Sequence, residues 1–311
     1  MPETPHPRRA FLTAAAAAAT GGALSPKGLA EESVDAPGTP LPMIRLGGRN
    51  VSRLIAGWNP IAGHSHTTLN LARHMREFFT DDQAVRFALD CRRAGITTWQ
   101  VSHGAKAAAV LERVREVEPD LGIICLHAEQ GLRGTVDEAI NTCRPFAMAH
   151  HGNVTDAMFR AGHEGKIRDY LKKVHDAGIL AGVSSHNPVN IKRIADAGWE
   201  VDFFMTCFYY VTRPREDQRE HLGKVVVGEP FFESDADDMT EVIRQVDRPC
   251  LAFKILAAGR KCWSRYSVKR AFQYAFENIK PTDAVIVGMY PRFQNEIEEN
   301  VKHVMEFGIG E

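Results

Sequence analysis

Short apolar segments alternate with amphipathic segments of helical length along most of the chain after residue 42. Neighbouring residues within each apolar segment are hydrophobic, which is typical of strands buried on both faces of a parallel sheet. Eight of these segments have the length of a β-strand. They span residues 53–58, 95–101, 122–127, 145–150, 179–186, 202–209, 249–256 and 284–289.

Helix-start signals lie between these strands. Thr80 with Gln83 and Thr135 with Glu138 have the spacing of a capping box, and Pro188 is placed for a first helical turn. Eight strand and helix units in about 270 residues predict a closed (β/α)8 barrel, the TIM-barrel fold. A doubly wound sheet is the alternative, but no G-x-G-x-x-G sequence follows the first strand.

The carboxyl ends of the predicted strands are rich in histidine. TIM barrels place their chemistry at this end, so polar residues there are candidates for one active site. A single histidine in such a place is more often a packed core residue, but four successive strands that end in this way favour a functional interpretation. The candidates are Gln100, His103, His127, Glu129, His150, His151, His186 and Lys254, and His64 and His66 in the loop 59–79 remain open.

The stretch "AMAHHGNV" contains two adjacent histidines, and strand geometry allows only one of them to enter the site. Successive side chains of a strand point to opposite faces. We expect His150 to face the barrel mouth and do chemistry, and His151 to have a supporting role in the loop. Thr155 is expected to begin the next helix.

Composition narrows the classes of partner. The 311 residues carry a formal net charge of -1, so no basic surface for nucleic acid is expected. A hydrophobic content of 44% is typical of a globular domain with a large core. The expected partner is therefore a small molecule, most simply a carbohydrate, and no stable membrane anchor is expected.

The amino-terminal segment differs from the rest. Residues 1–30 place Arg8 and Arg9 before an Ala-rich apolar stretch, which resembles a twin-arginine export signal, and a polar linker follows at 31–42. An Ala-rich helix with a basic cap is the alternative interpretation. We expect the folded barrel, residues 43–311, to be periplasmic or extracellular, and its six cysteines to be buried and unpaired.

From residue 43 to residue 308 the chain resembles the aldo-keto reductases. The resemblance is carried by an ordered series of segments, which are "MIRLGGRNVSRLIAGW", "ALDCRRAGITTWQVS", "AGVSSHNPVNIKRI" and "IVGMYPRFQNEIEENV". It implies a nicotinamide-dependent oxidoreductase on a TIM barrel.

The catalytic tetrad of that family is replaced here. The resemblance places Gln100 where the family has Asp, His103 near its Tyr, His127 at its Lys and His150 at its His. The usual proton donor is therefore missing, and an imidazole can transfer protons near neutral pH without help.

The cofactor side of the family pattern is better preserved. The resemblance implies that a dinucleotide contacts Ser184, Ser185, Phe253, Lys254, Gly288, Glu299 and Asn300. Glu296 occupies the place of the arginine that binds a 2′-phosphate, so NAD is favoured over NADP. The alternative is that the barrel kept these residues as packing after it lost the cofactor.

Three functions remain open at this point. The first is an exported NAD-linked oxidoreductase that acts on a sugar or another hydroxyl or carbonyl compound. The second is a metal-assisted lyase, isomerase or hydrolase with His127, Glu129, His150 and His186 as ligands of a divalent metal. The third is a sugar-binding barrel without catalysis.

Overall fold

A computed structural model describes residues 40–129 and 134–309 of the chain. Residues 1–39, with the predicted export signal and most of the linker, lie outside the described residues. The described residues form one compact unit.

Eight parallel strands form a closed barrel, in the order β10, β3, β4, β5, β6, β7, β8, β9, and a two-stranded hairpin precedes it. The strands in the described ranges are β1 (Met43–Leu46), β2 (Arg49–Ser52), β3 (Leu54–Gly57), β4 (Thr98–Ser102), β5 (Gly122–His127), β6 (Ala147–His150), β7 (Leu180–Ser185), β8 (Phe203–Cys207), β9 (Cys250–Phe253) and β10 (Ala284–Gly288). Seven of the eight barrel strands lie within one predicted apolar run, and β4 extends one residue beyond its run, so the prediction of a TIM barrel is confirmed.

Helices follow the strands and cover the outside of the barrel. They are α1 (Asn59–Ala62), α2 (Leu69–Phe78), α3 (Asp81–Arg93), α4 (Ala105–Val117), α5 (Val136–Cys143), α6 (Gly152–Ala161), α7 (Glu164–Asp176), α8 (Pro188–Asp196), α9 (Arg215–Leu222), α10 (Asp235–Gln245), α11 (Arg265–Asn278) and α12 (Glu296–Phe307), with a 3-10 turn at Ala257–Gly259. In the described part of the chain, none of them combines the length and apolar composition that a membrane crossing requires.

The sequence signals for helix starts are only partly confirmed. Thr135 and Glu138 make both hydrogen bonds of a capping box, whereas Thr80 caps α3 through one bond, from the Gln83 N–H. The prediction that Thr155 begins a helix is wrong, because α6 begins at Gly152 with His151 as its N-cap. Thr155 lies in the first turn of α6 and is buried.

The hairpin β1–β2 closes the amino-terminal end of the barrel. Leu46 and Val51 pack in one cluster with interior barrel residues such as Ile124 and Phe203. The turn passes close to the first residue of β7, since a Cβ on Gly47 would lie 2.7 Å from the Leu180 side chain. Because this end is filled, ligands must enter at the carboxyl ends of the strands.

The two faces of each barrel strand pack against different partners. Ile124, Ala149 and Met205 belong to the cluster that fills the barrel interior. Their strand neighbours Cys125 and Met148 belong to the larger cluster shared with the helices. This alternation decides which polar residues at the strand ends can reach the mouth.

Candidate active site

A cavity of about 620 Å³ opens at the carboxyl ends of β3, β9 and β10. The loop 59–79 and the loop after β9 form two of its walls, and the start of α12 forms a third. Its lining includes Gln100, Phe253, Lys254, Gly288, Glu296, Glu299 and Asn300. The structure thus brings together five of the seven predicted cofactor residues, one predicted catalytic residue and Glu296.

Two strand-end glycines allow the close packing of the cavity wall. A Cβ on Gly288 would lie 2.8 Å from the Pro60 ring, and one on Gly57 would lie 3.0 Å from the Gly288 backbone nitrogen. Contacts of this kind exclude larger side chains without a shift of the backbone. The glycine predicted on the cofactor side therefore has a packing reason to be there.

Lys254 projects from the end of β9 into a hydrogen-bonded chain that the sequence did not reveal. Its Nζ lies 2.9 Å from Nε2 of His66, and Nδ1 of His66 lies 3.0 Å from the Glu229 carboxylate. The Asn59 amide also approaches His66 Nε2, at 3.3 Å. Burial lowers the pKa of Lys254.

The carboxylate of Glu229, at the far end of this series of hydrogen bonds from Lys254, stays ionised. Burial opposes the charge of Glu229, but the hydrogen bond from His66 and the positive charges nearby hold its pKa below the usual value. An ionised carboxylate accepts a hydrogen bond from the Nδ1–H of His66, which leaves Nε2 as a hydrogen-bond acceptor.

The loop that follows Lys254 has an unusual backbone. Lys254, Ala257 and Ala258 have φ values of 59°, 49° and 50°, in the left-handed region that side chains rarely adopt. Lys254 and Ala258 line the cavity, whereas Ala257 does not. Non-glycine residues persist in this region only where the surrounding structure enforces it, and they concentrate at functional sites.

A second polar cluster, around Asp156 of α6, lies at the ends of β6 and β7. The buried Asp156 carboxylate accepts hydrogen bonds from Ser185, Asn190 and Thr212 and, at 2.9 Å, from Nδ1 of His186. Burial works against its charge, but these donors hold the pKa of Asp156 below the usual value.

The bond from Asp156 fixes the tautomer of His186, with the hydrogen on Nδ1 and with Nε2 as a hydrogen-bond acceptor. The His186 ring lies 5.6 Å from the Phe253 ring of the cavity, centroid to centroid. It fits there because residue 152 is glycine, since a Cβ at that position would lie 2.9 Å from the imidazole. Phe253 lines the cavity and His186 does not, so the second cluster lies behind this part of the cavity wall.

The structure contradicts the prediction that His150 faces the mouth. His150 is fully buried, its Nδ1 lies 2.8 Å from the Thr155 hydroxyl of α6, and its ring meets that of Tyr170 of α7 at 4.9 Å. The ring therefore lies between the sheet and the helices. Burial lowers the pKa of His150 to about 4, and the nearby His127 contributes to the shift.

His127 occupies the same layer. It pairs with His150 in the register of β5 and β6, is fully buried and stacks on Tyr170 with a centroid distance of 5.9 Å. The two histidines do lie together, but on the helix side of the sheet. His103 is close to them, with its ring 5.7 Å from that of His127, and it does not line the cavity.

The predicted metal ligands are not assembled. Glu129 binds Lys173 at 2.7 Å and the Val136 N–H at 3.3 Å, and His186 binds Asp156. Across residues 40–129 and 134–309, no group of three or more histidine, cysteine or acidic side chains is placed to hold a metal ion. The ligand set predicted from the strand ends is therefore wrong.

Ser184, Ser185 and Glu299, which were predicted on the cofactor side, differ in their surroundings. Ser184 is in phase with Leu180 on the interior face of β7, whereas the Ser185 hydroxyl points to the helix side and donates to Asp156, so Ser185 is not placed to contact a dinucleotide. Glu299 lines the cavity and pairs with Arg265 at 3.1 Å.

Glu296 holds the backbone at the entrance to α12. Its carboxylate accepts a hydrogen bond of 2.6 Å from the Tyr290 N–H, and burial raises its pKa. The cysteine prediction is confirmed for five residues, but Cys262 is exposed and lines the cavity.

Comparison with known proteins supports the fold. No protein-family model and no curated protein matches the sequence. An aldo-keto reductase from Bacillus halodurans in its holo form is similar, with a TM-score of 0.52 and 13% identity over 85% of this chain and 91% of that one. The glycerol dehydrogenase of Gluconobacter oxydans has a TM-score of 0.50 and 11% identity, over 87% and 90%.

A third similar structure is a variant of Gox0644 in complex with NADPH, with a TM-score of 0.52 and 13% identity over 87% of this chain and 93% of that one. The chain thus has a TIM barrel that is similar in fold to aldo-keto reductases. At this identity the likeness concerns the fold alone, and the chemistry must be argued from the site.

Sequence reasoning missed the partners that give the site its electrostatics. Asp156 lies inside a helix with no motif around it, and Glu229 lies in the loop 210–234, 163 residues from His66. No local pattern joins residues so far apart. The open assignment of His66 was the available signal, because it places a titratable ring in a long loop after a barrel strand.

Proposed function

We propose that the protein is an exported, nicotinamide-dependent oxidoreductase that acts on a hydroxyl or carbonyl group of a small polar molecule such as a carbohydrate. The observation that carries the proposal is the 620 Å³ cavity, where Phe253, Lys254, Gly288, Glu299 and Asn300 come together from three separate segments. Export rests on the sequence of residues 1–30.

The cavity residues fit a dinucleotide. Phe253 offers an aromatic ring on which a flat heterocycle can stack, and Gly57 and Gly288 line the same cavity. Asn300 is buried in the wall and offers an amide to the far end of the ligand. When bound, the nicotinamide supplies or accepts a hydride.

The chain supplies a group for the reacting oxygen. His186 has its Nδ1 fixed by Asp156, and its ring is next to Phe253, so its Nε2 can hydrogen-bond an oxygen on a substrate that lies over that ring. Asp156 holds the tautomer and stabilises the imidazolium if a proton is taken up. This role replaces the one predicted for His150.

Glu296 supports a preference for NAD. Its carboxylate lines the cavity near the start of α12, where the resemblance places the 2′ position of the adenosine ribose. A 2′-phosphate there would meet a negative charge in a partly desolvated place, and like charges repel more strongly where water is excluded. A free 2′-hydroxyl can instead donate to the carboxylate.

Calorimetric titration of the purified full-length protein with NADH and NADPH tests the proposal. We expect NADH to bind with the lower Kd. The variant Gly288→Val should weaken binding at least about tenfold, because its side chain fills the cavity and collides with Pro60. The matched control is Gly165→Ala, in α7, where an added Cβ meets nothing within 4 Å.

The proposal would be contradicted if neither dinucleotide bound, or if the Gly288→Val variant bound NADH as tightly as the parent protein does.

A further inference from the structure

Three long loops meet above Lys254. His66 comes from the loop after β3 and Glu229 from the loop after β8, while Lys254 and Arg260 belong to the segment after β9. The Arg260 guanidinium lies 3.8 Å from the centre of the Phe231 ring and donates to the His66 carbonyl at 3.1 Å. The loops are therefore held together at the edge of the cavity.

The hydrogen bonds among these loops form a path from solvent to the cavity. The side chains of Glu229 and His66 are 38% and 24% exposed, and Lys254 lines the cavity wall. Each step is of hydrogen-bond length, 3.0 Å from Glu229 to His66 and 2.9 Å from His66 to Lys254. The acceptor nitrogen of the imidazole faces the lysine.

Lys254 is poorly solvated and has no carboxylate in direct contact among the described residues. The charged or titratable groups that act on it are Glu229 and Cys207, which favour its ammonium form, and Arg260, which opposes it. Its nitrogen also lies 5.8 Å from the centre of the Phe253 ring. A lysine in this position can exchange a proton with a neighbour more readily than an exposed lysine can.

We propose that Lys254 is the acid–base group of this site, with His66 and Glu229 as the positioning residues that connect it to solvent. The inference rests on the proposed function and supplies the proton donor that the missing tyrosine leaves open. In the oxidation direction, the O–H bond of an alcohol breaks and its proton forms an N–H bond on Lys254, while the hydride leaves to the dinucleotide.

The ammonium of Lys254 then passes a proton to Nε2 of His66. The resulting imidazolium is stabilised by the Glu229 carboxylate and releases a proton to solvent. In the reduction direction the same groups carry a proton inward.

Competitive labelling with acetic anhydride tests the acid–base assignment without any cofactor. The rate of acetylation of each lysine is measured against pH by mass spectrometry, with the exposed Lys172 and Lys302 as internal references. We expect Lys254 to become reactive at lower pH than the references. Glu229→Gln should shift its profile further down by about half a unit to one unit, because the carboxylate favours the ammonium.

The matched control is Glu233→Gln, which removes the same charge from an exposed position of the same loop and should leave the profile unchanged. A Lys254 profile that coincides with those of the references, or that does not respond to Glu229→Gln, overturns the proposal. Dinucleotide titration is independent of labelling, so the two proposals can fail separately.

Chemical rescue separates proton transfer from a structural role. With a substrate that the protein turns over, Lys254→Ala should lower kcat about 100-fold, and ethylamine should restore part of it in proportion to the concentration of free amine. Loss of activity without rescue by any primary amine would contradict the assignment.

Discussion

Each histidine at the carboxyl end of the barrel takes its chemistry from the face of the strand that carries it. His127 and His150 lie on the helix side and are fully buried, whereas His186 comes after β7 and lies beside the Phe253 ring. A shift of one residue along a strand exchanges the two faces, so adjacent histidines differ completely in their access to a ligand. The adjacent His151 lies beyond the end of β6, where it is the N-cap residue of α6 and is partly exposed.

The burial of His150 predicts a pH dependence of stability. Its pKa is about 4 in the folded protein, against an ordinary value of 6.5, so between these values the unfolded chain binds a proton that the folded one does not. Stability should therefore fall as pH falls through this window, by at most about 3 kcal/mol from this group.

Urea unfolding at pH 7 and pH 4.5 checks the effect of His150. The variant His150→Asn should show a smaller loss of stability between the two pH values than the parent, whatever its absolute stability. His163→Asn, at an exposed site, should keep the full loss. An unchanged loss in His150→Asn would contradict the assignment.

The charge of Glu296 predicts cofactor choice. Glu296→Gln keeps an oxygen for the Tyr290 N–H but removes the negative charge, so the affinity for NADPH relative to NADH should rise about tenfold, the scale of one charge-assisted contact. Calorimetric Kd values for both cofactors measure it. Glu298→Gln, on the outer face of the same helix turn, is the control, and an equal change there would show that the effect is nonspecific.

At the scale of elements, the loops between strands and helices determine what the barrel can do. Asp156 joins α6 to the end of β7, the first turn of α8 and the loop after β8 through its hydrogen bonds with Ser185, Asn190 and Thr212. This one carboxylate therefore holds three segments in register at the mouth.

Replacing that carboxylate should affect both stability and the site. Asp156→Asn keeps the shape but loses charge and one acceptor, and it should lower the free energy of unfolding by about 3 kcal/mol, the cost of breaking a buried ion pair. Denaturant unfolding measures the loss. Asp202→Asn, whose partner His175 is partly exposed, should cost much less, and equal costs would argue against the central role of Asp156.

The barrel strands could be predicted from sequence because each lies in a short, largely apolar run between segments of helical length. Residues on both faces of these strands are buried and hydrophobic, so the sequence does not show which residues face the barrel interior and which face the helices. "GIICLH" predicts β5 well, yet nothing in it shows that His127 points to the helices. Three loops are joined by the hydrogen bonds among Lys254, His66 and Glu229. No local sequence pattern predicts these bonds.

At the scale of the whole molecule, the barrel presents one filled end and one open end. The hairpin closes the amino-terminal end, and the cavity with its three converging loops lies at the other. The cofactor-side residues predicted from the resemblance mostly meet in that cavity, while the predicted tetrad contributes only Gln100 to it. The residues proposed to hold a dinucleotide and the residues proposed to transfer protons therefore lie at the same open end of the barrel.

The most direct test of this account is the crystal structure of the protein grown with NADH. We expect the nicotinamide to lie against the Phe253 ring, between His186 and Lys254. The adenosine should lie near Asn300, with its ribose beside Glu296. A dinucleotide bound anywhere else on the barrel, or none bound in crystals grown at saturating concentration, would contradict the central claim.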